Sequence, residues 1–156
     1  MSRNVQQWLD TYGESHQNPI NKVIHWLMVP AIFFTIIGLL WNIPLPEFLQ
    51  GIKGVNWPSL ILIPVLLLYA RLSISLMLGM MLFSLFCFWL TQQLEAFILI
   101  PLWQFSLCLF IIAWVFQFIG HKIEGKKPSF FQDVQFLLIG PAWLLSFIYK
   151  KLGISY

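Results

Sequence analysis

The sequence predicts an all-α, polytopic membrane helix bundle of four to five spans plus an N-terminal amphipathic helix, in a single integral membrane domain over residues 1–156. Two observations carry that expectation. Hydrophobic residues make up 59% of the chain and charged ones 10%, with a mean hydropathy of +0.79, whereas soluble domains hold roughly a quarter charged residues. Apolar runs at residues 19–41, 58–90 and 97–120 reach or exceed the ~20 residues that cross a hydrocarbon layer of about 30 Å. Nine Lys/Arg stand against six Asp/Glu. The excess is spread along the span flanks as orientation charge, not gathered into a patch dense enough for a phosphate backbone, so no nucleic-acid partner is expected. Cys87 and Cys108 lie within apolar runs and read as small packing hydrophobes, with no disulfide framework.

Val5, Trp8, Leu9 and Tyr12 recur at helical spacing, with Gln6, Gln7 and Asp10 falling elsewhere, which predicts a short amphipathic helix ending near Gly13 and lying on the membrane surface. Residues 1–17 contain no apolar stretch of signal-peptide type, so no cleaved segment is expected. Asn18 followed by Pro19 is a helix start: the Asn side chain accepts free backbone donors, and proline at the first helical position loses nothing. The first span then runs over residues 19–41, with a kink expected at Pro30. Pro44, Pro46, Gly51 and Gly54 mark residues 42–57 as a loop.

Residues 58–90 are too long for one span and are broken near Arg71, Ser73 and Ser75, which predicts two short spans forming a hairpin. Residues 91–96 are expected to be a polar link, and residues 97–120 the next span, with Pro101 near its start. Residues 122–133 form a polar segment holding Lys122, Lys126 and Lys127. The last apolar piece, residues 134–149, is short and contains Gly140 and Pro141, so both a re-entrant or interfacial helix and a full span stay open. With a cytoplasmic N-terminus, four crossings return the chain at His121 beside the lysines, and Arg71 falls on the same side; Lys53 and Glu95 are left on the other face. His16, His25 and His121 therefore arrive at one face of the membrane.

Those three are the only histidines. Asn18, Asn21, Lys22 and His25 form one polar stripe on the first span, and Gln117, His121 and Glu124 form another if the helix continues through Gly120. One account of such stripes is interhelical hydrogen bonding that glues spans together. The other is a metal site, because imidazole is the commonest metal ligand and ionisable groups at membrane depth mark function. A few imidazoles with open positions suit non-haem Fe(II) acting on dioxygen, with Glu124, Glu14 or Asp10 as carboxylates able to complete or orient it. Membrane di-iron hydroxylases, with their many clustered histidine boxes, are excluded by count. A serine-hydrolase elbow and a glycine-rich phosphate loop are both absent.

Three segments carry a family resemblance: W-L-D-T-Y-G-E-S-H-Q-N-P-I-N-K-V-I-H-W-L-M-V-P at residues 8–30, W-V-F-Q-F-I-G-H-K-I-E-G-K-K-P-S at 114–129, and L-I-G-P-A-W-L-L at 138–145. Together they resemble the small multispan membrane family that includes the fungal 2-hydroxy fatty acid dioxygenase of phytosphingosine breakdown. The middle, residues 41–90, matches only in hydrophobicity. The resemblance implies an Fe(2+) enzyme shortening a 2-hydroxy fatty acid by one carbon with dioxygen and release of CO2, in sphingolipid and fatty acid metabolism. It implies an endoplasmic reticulum location in a eukaryote, or the inner membrane in a bacterium, and carries the family histidines onto His16, His25 and His121. Lys22 is then expected to pair with the substrate carboxylate, and Glu124 to orient His121 or bind iron; Tyr12 and Gln117 are weaker candidates for supporting roles. Two alternatives remain at this point: a haem-binding electron carrier with His25 and His121 as axial ligands, and a metal-free lipid-binding protein.

Overall fold

The computed structural model describes residues 5–125 and 130–156, with side chains described over 5–125 and 138–156. Among the described residues the regular structure is helical: α1 (Val5–Glu14), α2 (Pro19–Trp41), α3 (Trp57–Leu72), α4 (Ile74–Phe97), α5 (Leu102–Glu124) and α6 (Phe130–Leu152), with a 3-10 turn at Glu47–Leu49. The all-α membrane bundle is as the sequence predicts. Among the described residues α2, α4 and α5 are long and apolar enough to cross a membrane, and α3 is a shorter apolar helix of 16 residues. At 1.5 Å per residue α3 is about 24 Å long, less than the hydrocarbon thickness.

Local chemistry sets most boundaries. Asn18 Oδ1 accepts the Ile20 N–H at 2.9 Å and starts α2 ahead of Pro19. Pro30 lies inside a helix that continues to Trp41. Ser73 ends α3 in extended geometry and caps α4, its hydroxyl accepting the Leu76 N–H, so one residue makes the hairpin corner. Residues 91–96, expected as a polar link, are instead the last turns of α4. Gln92, Gln93, Leu94, Glu95 and Ala96 are all good helix formers, and Thr91 is fully buried. The break falls at 98–101, before Pro101. Gly125 ends α5 in left-handed geometry, φ 72°. Lys126 and Lys127, expected beside His121, lie outside the described residues.

Gly140 and Pro141 do not interrupt α6, which runs unbroken from Phe130 to Leu152. Its described half crosses the end of the bundle. Tyr69 near the end of α3 donates to the Leu138 carbonyl, Tyr149 donates to the Ser75 carbonyl at the start of α4 at 2.6 Å, and Gly140 packs against Val29 and Tyr12. All these partners lie near the histidine-bearing end, which matches the interfacial or re-entrant alternative better than a helix running the bundle's length.

The principal seam is α2 against α5. Asn21, His25, Val29, Ile32 and Thr35 face inward from α2, and Ser106, Ala113, Gln117 and Gly120 from α5. Close approach depends on glycine at both ends: a Cβ on Gly120 would meet the Asn21 side chain, and one on Gly38 would meet Ser106 Oγ and Cβ. In a bilayer, where apolar burial gives no drive for helices to associate, such tight contact is the main attraction. Gly38→Ala is therefore expected to destabilise the protein by about 1–3 kcal/mol, measured as a lower thermal midpoint in detergent, and Gly38→Ala combined with Ser106→Gly to recover most of it. At the far end Glu95 accepts from Trp41 Nε1 at 3.0 Å and Asn42 Nδ2 at 2.8 Å, tying α2 to α4.

Candidate metal centre

The three histidines come from the α1–α2 corner, the second turn of α2 and the end of α5, and they meet. Ring centroids lie 4.1 Å apart for His16 and His25, 5.0 Å for His25 and His121, and 5.5 Å for His16 and His121. One potential ligand nitrogen from each falls within 4.8 Å of the others. Two metal–nitrogen bonds of about 2.1 Å span at most about 4.2 Å, so ion binding requires the most separated pair to close inward.

Two of the rings have fixed tautomers. His16 Nδ1 lies 2.6 Å from the Tyr12 carbonyl and His25 Nδ1 lies 3.0 Å from the Asn21 carbonyl. A carbonyl only accepts, so each Nδ1 carries the proton and each Nε2 keeps its lone pair. This carbonyl-oriented arrangement is the one that metal-binding histidines use. His16 Nε2 is buried without a hydrogen-bond partner, and an orphaned buried acceptor costs about 1–3 kcal/mol. Burial pushes the His16 imidazole down to about 4, so the ring is neutral at pH 7 and available to a cation. The donor set fits a transition-metal ion.

Glu124 is held elsewhere. Its carboxylate accepts the Gln17 N–H at 2.8 Å, the Asn18 N–H at 2.9 Å and the Asn21 amide at 3.0 Å, just ahead of the α2 N-terminus, where negative charge is favoured. Of the two roles expected for it, orienting His121 or binding iron, these contacts favour an orienting one: the cluster of possible ligand atoms among the described residues contains the histidines alone, and three N–H donors already sit on the carboxylate. Lys22 is half-buried on α2, close enough for its charge to bear on His16.

Aromatic rings wall the site. Tyr12 stacks on His16 at 4.1 Å and 11°, and Trp143 of α6 sits 5.2 Å from Tyr12 and 5.4 Å from His16. Sequence reasoning did not single out Trp143, because its approach depends on α6 crossing the bundle end; the nearest signal is the Gly140 three residues before it that admits Tyr12. A haem arrangement does not fit these rings. Axial imidazoles must oppose each other across a flat macrocycle, and here the His25 and His121 centroids lie only 5.0 Å apart, with His16 packed against both.

Comparison with known proteins adds to this geometry. A family model described as "Mpo1-like: 2-hydroxy-palmitic acid dioxygenase Mpo1-like" matches residues 2–152. The chain is 25% identical over 151 residues to the 2-hydroxy-palmitic acid dioxygenase MPO1 of Saccharomyces cerevisiae, covering 96% of this chain and 82% of that protein. No solved structure matches.

Proposed function

Because this chain belongs to the Mpo1-like family, we propose that it is an Fe(II)-dependent dioxygenase converting a 2-hydroxy fatty acid and O2 into the acid one carbon shorter, CO2 and water. The observation that carries the proposal is the convergence of three imidazoles with ligand atoms within 4.8 Å of one another. The equation balances without a second reductant: the substrate gives up four electrons and one O2 takes them, so neither 2-oxoglutarate nor a reductase is needed. His16, His25 and His121 would hold the ion, which when bound supplies a redox-active Lewis acid; zinc, with no redox chemistry, would not serve.

The protein's own groups do the rest. The Tyr12 and Asn21 carbonyls keep the Nε2 lone pairs of His16 and His25 turned toward the centre. Lys22, at the polar edge, attracts and orients the substrate carboxylate. Trp143 and Tyr12 shield the centre from bulk water, which limits side reactions. Glu124 fixes the corner from which two of the histidines project.

Described basic residues support the orientation: Lys22, Arg71, Lys122, Lys150 and Lys151 belong to the histidine end, Lys53 to the other. That end is assigned to the cytoplasmic face, of the inner membrane in a bacterium or of the endoplasmic reticulum in a eukaryote. The test is metal analysis of anaerobically purified protein, followed by 2-hydroxypalmitate and oxygen. Stoichiometric iron and accumulation of the odd-chain acid are expected; protein lacking iron and forming no such acid overturns the proposal.

A further inference from the structure

Gln117 is a buried polar group, one helical turn from His121, that this chemistry leaves unused. It is 5% exposed, and its Oε1 is buried without a hydrogen-bond partner. In hydrocarbon surroundings such an acceptor is expensive to keep, and a stretch of α5 that packs tightly on either side, at Ala113 and Gly120, has no packing need for an amide there. Leucine or methionine would fill the same volume.

Its location points to what it accepts from. Gln117 stands one helical turn before His121 on the same face of α5. The antiparallel pairing of Gly120 with Asn21 and Ile24 sets Gln117 beside the next turn of α2, the turn that bears His25. Along the seam from the polar edge inward, the order is therefore Lys22, the histidine cluster, Gln117 and then apolar side chains. A 2-hydroxy fatty acid entering head-first presents its groups in the same order: carboxylate, C2 hydroxyl, alkyl chain. The hydroxyl is the substrate's one neutral hydrogen-bond donor.

We infer that Gln117 Oε1 accepts the hydrogen bond of the substrate's 2-hydroxyl and so selects hydroxylated over plain fatty acids. This rests on the proposed function and deepens it, naming the residue that reads the group distinguishing the substrate. The physical reason is asymmetric: an acid lacking the hydroxyl leaves the buried acceptor unpaired, and a site built for a hydrogen bond rejects the analogue that cannot make it.

The test compares binding of 2-hydroxypalmitate and palmitate to anaerobic, iron-loaded protein, wild type and Gln117→Met, with iron content and thermal midpoint measured alongside. Methionine keeps the length of the side chain and removes the acceptor. Wild type is expected to prefer the hydroxylated acid, and Gln117→Met to lose about tenfold of that preference through weaker binding of 2-hydroxypalmitate, with palmitate affinity and iron content unchanged. Its thermal midpoint should stay level or rise, since an orphaned acceptor is gone; a glutamine serving only to join helices would lower it and affect both acids alike. Unchanged preference, or an equal loss for both acids, overturns the inference while leaving the dioxygenase reading intact. Wild-type protein that binds neither iron nor 2-hydroxypalmitate removes the premise as well.

Discussion

His16→Ala, His25→Ala and His121→Ala should each strip the protein of iron and reduce 2-hydroxypalmitate turnover to background. Outer-shell changes at metal sites typically weaken metal affinity about 10–100-fold, and removing one of three ligands outright exceeds that. The three positions should behave alike although they lie up to 105 residues apart (121 − 16), since each supplies one ring to a cluster whose ligand atoms sit within 4.8 Å. His16 is 1% exposed and His25 2%, so truncation also leaves a cavity; His16→Gln and His25→Gln, nearer the native volume, separate lost ligation from lost packing. Metal analysis with helical content and thermal midpoint measured on the same samples is the check. A single alanine variant that keeps stoichiometric iron and native turnover would defeat the three-histidine site.

Glu124→Ala is the second change with a large expected effect, and its signature differs. Gln17 and Asn18 lose the acceptor of their backbone N–H groups, and Asn21 loses one partner of its side-chain amide. Each loss adjoins a histidine: His16 precedes Gln17, His25 is oriented by the Asn21 carbonyl, and His121 lies one turn before Glu124 itself. We expect iron affinity to fall about 10–100-fold with turnover largely restored at excess iron. A carboxylate that ligated the metal would give an enzyme that excess iron does not rescue, so an iron titration of turnover decides between the two roles. Glu124→Gln, which keeps one carbonyl oxygen as acceptor but loses the charge, should fall between wild type and alanine.

Much of this architecture is legible in the sequence because it follows from local chemistry. The Asn18–Pro19 start, the corner at Ser73 and the polar stripes on α2 and α5 are all written within a few residues. The convergence of the histidines is also foreseeable, from span counting and the placement of basic residues. What is not legible depends on contacts between distant segments. Residues 91–96 look like a link because they are polar, yet they extend α4, and Glu95 finds its partners 53 and 54 positions away. Gly140 and Pro141 look like a break, but α6 runs through them. Glu124 has the chemistry of a ligand, and only the approach of the α1–α2 corner shows the three N–H donors that meet its carboxylate.

The clamp between Gln17 and Glu124 joins residues 107 positions apart. During synthesis, then, His16 and His25 are delivered to the bilayer long before the helix carrying His121 leaves the ribosome. Nascent chains ending ahead of α5 can offer an ion at most two imidazoles. On the proposed iron chemistry, metal capture would wait until α5 has been inserted, which would keep half-made protein from holding a redox-active ion in contact with oxygen and unsaturated lipid.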